Sequence, residues 1–152
     1  MKKSKLSFNP MINQPQKKVV IIIPTYNEKE NICFLLNQIL TILNDFDLRI
    51  LVVDDNSPDG TGQLVQSLSG QEPRIQILIR KGKRGRGTAG LVGFQKALEW
   101  KPDFVVEMDG DLSHQPQYLP NLLSQAEQND IVIGSRFIAG GKDLDRGYLR
   151  KF

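Results

Sequence analysis

Five consecutive β-branched residues, Val19-Val20-Ile21-Ile22-Ile23, constrain this chain more than any other stretch. A strand with one wet face alternates apolar and polar residues. This run does not alternate, so both of its faces need cover, and helices on both sides of a parallel sheet supply it. Shorter runs at 49–53, 75–79, 104–106 and 131–133 read as further strands, those at 49–53 and 104–106 as buried ones. Between them, apolar residues recur at helical spacing. Ile32, Leu35, Leu36, Ile39 and Leu43 mark the first helix, and Leu64, Val65 and Leu68 the second. Leu91, Val92, Phe94, Ala97 and Leu98 mark the third, and Leu119, Leu122 and Leu123 the fourth. Strands alternating with helices predict an α/β fold, a mostly parallel sheet flanked by helices. Pro24 is expected to end the first strand. Asn27 is expected to cap the first helix, with Glu30 three residues on, and Thr88 to cap the third. Pro116 opens the fourth.

The 152 residues, 39% of them hydrophobic, suffice for one domain with a core. Residues 1–18 are rich in Lys, Asn, Gln and Pro and are expected to form a disordered tail, with the folded domain at 19–152. That tail has no apolar segment of the kind a signal peptide needs, and no stretch approaches the roughly 18 apolar residues of a membrane span. The cytoplasm is the expected location. Cys33 is the single cysteine, which excludes an internal disulfide, and its place in a helical apolar run makes it a core residue. A net charge of +3 suits phosphate-bearing partners or an anionic membrane surface without singling out either.

In a parallel sheet the strand ends share one edge, where ligands bind. Polar clusters follow the strands here: 24–28, 54–59, 81–88, 109–114, and Ser135 with Arg136. Asp109 and Asp111 stand two apart on an extended segment and point the same way. Gly110 between them lets the backbone bend and admits a close neighbour. Two adjacent carboxylates invite a hard divalent cation, Mg²⁺ or Mn²⁺, that shares its sphere with water and phosphates. A solvated acidic turn is the alternative. Lys81, Lys83, Arg84, Arg86 and Arg136 would meet phosphate, or simply line a wet surface. Asp54, Asp55 and Glu28 have the wrong sign for phosphate and suit ribose hydroxyls or base N–H donors, while Tyr26 suits stacking on a base. Asp54 and Asp55 also fit a plain turn before a helix. His114, the single histidine, is either catalytic or part of a helix-opening turn. A nucleotide-diphosphate site with a divalent metal unites these residues. Nucleic acid is not indicated, because the basic loop lacks an aromatic platform. A signalling receiver domain would begin at Asp54-Asp55, and a full strand–loop–helix unit precedes that pair.

The segments 23–28, 52–60, 85–89, 107–114 and 134–136 together resemble the family 2 glycosyltransferases of GT-A fold. More narrowly, the Pro-Asp-Gly-Thr after Asp55, the Met-Asp-Gly-Asp-Leu-Ser-His at 108–114 and the Gly-Thr-Ala at 87–89 are similar to those of dolichol-phosphate (polyprenol-phosphate) mannose synthases. The resemblance spans Val19 to Phe152. It implies that Pro24, Tyr26, Glu28, Val53 and Asp55 contact the nucleoside of GDP-mannose, with Asp54 beside them. It implies that Asp109 and Asp111 hold the metal with Gly110 close to the donor, and that Arg136 meets a phosphate, that of the lipid acceptor. Some relatives have a further metal-ligating Gln where Ser113, a weaker ligand, stands here.

The implied reaction moves mannose from GDP-mannose to a polyprenyl (dolichyl) phosphate with inversion, at the cytoplasmic face of a membrane, by a peripheral protein. Whether a separate membrane subunit takes part stays open. The family continues well past Gly134-Ser135-Arg136, so this chain is expected to lack C-terminal parts of the acceptor site. Two alternatives remain at this level: a UDP-sugar donor, and a donor-binding fragment without turnover.

Overall fold

The computed structural model describes residues 15–82, 85–135 and 137. It contains four strands, β1 (Lys18–Thr25), β2 (Asp47–Asp54), β3 (Ile75–Ile79) and β4 (Phe104–Glu107). The helices are α1 (Lys29–Ile42), α2 (Thr61–Ser69), α3 (Arg86–Leu98) and α4 (Leu119–Ala126), the last preceded by a 3₁₀ turn at Pro116–Tyr118. All pairings are parallel and the strand order is β3-β2-β1-β4. The chain builds outward from β1 to β3, then returns to the other side of β1. The order therefore reverses between β1 and β4, the point at which open α/β sheets bind ligands.

The five-residue apolar run lies at the centre of β1, and its period-2 alternation divides two cores. Val19, Ile21 and Ile23 face α1, α2 and α4 with Leu48, Ile50 and Val52. Val20 and Ile22 face α3 with Leu51 and Val53. Residues 19–23 are at most 2% exposed, as a strand covered on both faces requires.

Helix α3 turns a different face to the sheet than its large apolar residues suggest. Its buried residues are Ala89, Gly90, Gly93 and Ala97. Leu91, Phe94 and Leu98 are exposed. Close approach decides the orientation: a Cβ on Gly93 would collide with Ile22 Cγ2 and lie 3.3 Å from Val53 Cγ2. The small residues let the helix axis come near the strands, and larger ones on that face would hold it away.

Four other expectations are corrected. Residues 131–133 form no strand, and Ile131 and Ile133 are 79% and 82% exposed. Three apolar residues form a strand only in a ladder, and no partner strand lies beside them among the described residues. The strand at 104–106 is half-buried, because β4 is an edge strand. Thr88 lies inside the first turn of α3, whose N-cap is Gly85. Pro24 does not end β1, which continues to Thr25 opposite Asp54. Its effect falls on the other side of the strand. The Met108 N–H donates to Ile22 O at 3.0 Å. The next rung of this parallel ladder needs an N–H from residue 24, which proline lacks. The β1–β4 pairing stops there, and the chain leaves the sheet at Asp109.

Two of the three glycines of α3, Gly87 and Gly93, make a paired test. Gly93→Ala should lower stability in urea unfolding by about 1–2 kcal/mol, overpacking outweighing the gain in helix propensity. Gly87→Ala, whose added methyl meets nothing within 4 Å, should be neutral or stabilising by up to about 1 kcal/mol. Equal effects at both positions would show that close helix–sheet contact does not set the packing of α3.

Candidate functional site

The loops after β1 and β2 hold each other. Three successive backbone N–H groups of the first are satisfied by side chains of the second. Asn27 donates to Ser57 Oγ, Glu28 to Thr61 Oγ1 and Lys29 to Asp59 Oδ2, each at 3.0 Å. These groups open α1, and helix-opening N–H groups have no partners within their own helix. The donors are met from across the gap, so Asn27 does not serve as a cap. It takes a left-handed turn at φ 62°, and Glu28 occupies the N-cap position. Thr61 also donates from both its N–H and its hydroxyl to Asp59 Oδ1, at 2.9 and 2.6 Å. Burial pushes the Asp59 carboxyl up, but the hydrogen bonds from Thr61 and Lys29 and the Lys29 charge outweigh it, leaving Asp59 below its usual value.

The adjacent aspartates differ in what they hold. Asp54 is 1% exposed, and both oxygens accept from the protein: Oδ1 from Thr25 Oγ1 at 3.0 Å and Ser57 Oγ at 2.5 Å, Oδ2 from Ser57 N at 2.9 Å. It ties the ends of β1 and β2 together and has no oxygen turned to a ligand. Asp55 reaches the other way. Its Oδ2 accepts from Gly85 N at 2.8 Å. Its Oδ1 lies 3.0 Å from Arg80 Nη1 in a buried ion pair. Arg80 also donates to Thr88 Oγ1 at 2.8 Å. Asp55 and Arg80 thereby fix the glycine-rich loop to the end of β3 and the start of α3.

The turn after β4 lies over the end of β1. A Cβ on Gly110 would sit 3.2 Å from both Glu28 Cγ and Thr25 Cγ2, a tight fit that those side chains would have to yield by a few tenths of an ångström to accept. Asp109 and Asp111 flank that contact. Arg86 Nη2 pairs with Asp109 Oδ1. The Asp109 N–H donates to His114 Nδ1 at 3.1 Å, and His114 Nε2 stands 3.8 Å from Asp109 Oδ2. With Nδ1 accepting, the ring proton of neutral His114 lies on Nε2, facing the carboxylate. His114 thus closes the turn around Asp109. Asp111 is exposed, and its Oδ1 accepts from Ser113 N at 3.0 Å. Burial pushes its carboxyl up, but hydrogen bonds from Ser113 and the nearby His114 hold it below the usual range. Asp111 is therefore a carboxylate near neutral pH.

The expected nucleoside residues fall into three groups. Tyr26 is 45% exposed and Glu28 and Pro24 half-buried at the end of β1. Val53 is 0% exposed, which leaves only its backbone for a ligand, and Asp54 is spent internally. Asp55 is buried behind Arg80. Arg136, Lys83 and Arg84 lie outside the described residues. The sequence reading passed over Arg80, Thr25, Ser57 and Thr61, which organise the loops. A threonine or serine spaced to reach a neighbouring loop's N–H groups leaves no periodic signal, whereas an arginine ending a strand beside a glycine-rich loop does leave a trace. An open depression of about 570 Å³ is lined by Asn27, Lys29, Glu30, Asn31, Pro58 and Asp59. It contains neither Asp109 nor Asp111 and is distinct from the crevice between β1 and β4.

A divalent cation suits the donor set. Asp109 and Asp111 supply hard carboxylate oxygens, and Mg²⁺ or Mn²⁺ needs only one or two such groups when waters and substrate phosphates complete the sphere. Among the described residues no group of three or more His, Cys, Asp or Glu gathers to hold a metal by itself.

The sequence model described as Glycosyl transferase family 2 matches residues 20–152. The chain is 45% identical over 134 residues to undecaprenyl-phosphate mannosyltransferase of Micrococcus luteus, covering 88% of this chain and 54% of that protein. It is 40% identical over 135 residues to polyprenol monophosphomannose synthase of Mycolicibacterium smegmatis, covering 88% and 50%. The chain thus spans about half the length of the curated relatives it matches. Among solved structures, a mannosyltransferase from Pyrobaculum calidifontis in complex with GDP-mannose and Mn²⁺ superposes with a TM-score of 0.56 at 26% identity, covering 72% of this chain and 32% of that one.

Acid titration tests the stitched loops. Asp59 titrates lower in the folded chain than in the unfolded one, near 3.9. Its contribution to stability is full above that unfolded value and disappears as pH falls through the folded one. Between pH 5 and 2, Asp59→Asn should lose stability less steeply than the parent chain in urea unfolding. Glu72, held at about 2 by Arg74, titrates in both proteins and cancels. Parallel curves would remove Asp59 from the acid response.

Proposed function

This chain belongs to glycosyl transferase family 2, and from that membership we propose that it is the donor-binding part of a polyprenyl-phosphate mannosyltransferase. The observation that carries the reading is the placement of Asp109, Gly110 and Asp111 at the sheet's switch point, against the end of β1. The likeness to polyprenyl-phosphate mannosyltransferases supports the substrates: GDP-mannose as donor and a polyprenyl phosphate as acceptor. In this reading Tyr26 and Glu28 border the nucleoside and the backbone at Pro24 and Val53 lines its edge. Asp55 contributes through the glycine-rich loop it anchors, its Oδ2 accepting from Gly85 N. Asp109 and Asp111 would hold the divalent cation, Mg²⁺ or Mn²⁺. When bound, that cation supplies positive charge against the negative charge growing on the departing GDP.

The chemistry fits residues that position rather than deprotonate. A phosphate-monoester acceptor is already ionised near neutral pH and needs no general base. One acceptor oxygen forms a bond to the anomeric carbon while the bond from that carbon to the GDP oxygen breaks, and the pair of electrons leaves with GDP. A single in-line displacement inverts the centre. The acceptor's hydrocarbon tail stays in a bilayer, so the protein works as a peripheral partner of a membrane at its cytoplasmic face, alone or with a membrane subunit. No helix among the described residues is long and apolar enough to cross a membrane. Arg136 is the proposed contact for acceptor phosphate.

Calorimetric titration of GDP-mannose with Mn²⁺, repeated in EDTA, tests this. Binding should depend on metal, and Asp109→Ala and Asp111→Ala should each abolish the metal-dependent part while circular dichroism stays unchanged. Undiminished affinity in both variants would sink the metal assignment. Tighter binding of UDP-glucose than GDP-mannose would move the donor to a uridine nucleotide.

A further inference from the structure

Arg86 is the one cationic side chain seen on the proposed metal-binding pair among the described residues, His114 aside. It stands in the first turn of α3, within Gly85-Arg86-Gly87-Thr88, and pairs with Oδ1 of Asp109. The guanidinium is 62% exposed and Asp109 25% exposed. On its other side Asp109 has His114, whose Nδ1 accepts from the Asp109 N–H and whose Nε2 stands 3.8 Å from Oδ2, beyond hydrogen bonding. Among the described residues Asp111 forms no salt bridge, and its Oδ1 accepts from Ser113 N instead. Arg86 is the group in direct contact with a carboxylate oxygen of Asp109, so a cation that takes Oδ1 meets Asp109 on the side that Arg86 now covers.

We infer that Arg86 is an exchangeable counter-ion. It neutralises Asp109 in the empty site, yields that oxygen to the divalent cation, and then binds the donor diphosphate. This rests on the proposed donor site. Three observations support it. The ion pair is exposed, and exposed pairs are weak enough to be exchanged. The side chain is long and mostly solvated, so it can leave Asp109 without disturbing the core. Its backbone is fixed by contrast: Ala89 N donates to Gly85 O at 2.9 Å, and Asp55 holds Gly85 N. A guanidinium on a fixed stem beside the cation meets the charge that arrives with it, because a planar fork of N–H donors matches phosphate oxygens. The exchange makes and breaks only ion pairs and hydrogen bonds. Charge stays matched at each stage: Arg86 on Asp109 before loading, cation on Asp109 and Arg86 on diphosphate after it.

Exchange of Arg86 between the two partners requires effects of opposite sign from one substitution, which a purely structural role would not give. Mn²⁺ binding is followed by the electron paramagnetic resonance of the free ion, without nucleotide, and GDP binding by calorimetry at saturating Mn²⁺. Arg86→Gln should bind Mn²⁺ about two- to fivefold more tightly than the parent chain, the competing exposed ion pair being gone. The same variant should bind GDP about tenfold more weakly, having lost a charged hydrogen-bonding partner. Arg86→Lys should restore most of the competition for Mn²⁺ but only part of the GDP affinity. Mn²⁺ affinity unchanged or weakened in Arg86→Gln, with the parent chain binding normally, overturns the inference and leaves the donor site standing. No Mn²⁺ binding by either protein overturns the metal reading and the inference with it.

Discussion

Everything at the active edge depends on where the β1–β4 ladder stops. β1 is the central strand, bonded to β2 on one side and β4 on the other. Pro24 interrupts only the β4 side, because alternate residues of a parallel strand address alternate neighbours. On the β2 side pairing runs on to Thr25 and Asp54, and Asp55 N still donates to Thr25 O at 3.1 Å. One missing N–H thus opens the sheet between β1 and β4 while keeping β1 and β2 joined. The opening coincides with the reversal in strand order, and the Asp109–Asp111 turn fills its rim.

The joined side is stiff for a reason that can be named atom by atom. Asp54 accepts from Thr25 and Ser57, and Ser57, Asp59 and Thr61 receive the N–H groups that open α1. Buried polar groups are costly unless paired, and here each pairing also spans two loops. The loops around a donor site are therefore shaped before any ligand arrives. That lowers the ordering cost a nucleotide must meet on binding.

Much of this was legible in the sequence. The unbroken run at 19–23 indicated the parallel sheet, and the polar clusters at 24–28, 54–59 and 109–114 do follow the C-terminal ends of β1, β2 and β4. Side-chain periodicity failed at α3, because the pattern weighs large apolar residues while the sheet selected small ones for close approach. It failed at 131–133, where three apolar residues resemble a strand but pairing is a property of the neighbour. The acidic pair at 54–55 was visible, yet its division of labour was not. Two adjacent carboxylates on an extended chain point opposite ways, so one ties the strands together and the other reaches the glycine-rich loop. Which does which depends on Thr25, Ser57 and Arg80, none of them adjacent in sequence to both.

The site also holds two aspartate–arginine pairs that look alike on paper and behave differently in place. In Asp55–Arg80 the side chains are 7% and 14% exposed. Removing either partner would strand a charge with little water to solvate it, which makes the pair a fixed fastening. In Asp109–Arg86 the values are 25% and 62%, and water can replace either partner at small cost. The two pairs lie at the two ends of one glycine-rich loop. Burial fastens the end at β3, and exposure frees the guanidinium at the end nearest the Asp109–Asp111 turn. A loop held this way keeps its backbone in register with the end of β2 while leaving one charge exposed to water, a division set by solvent access rather than by residue type.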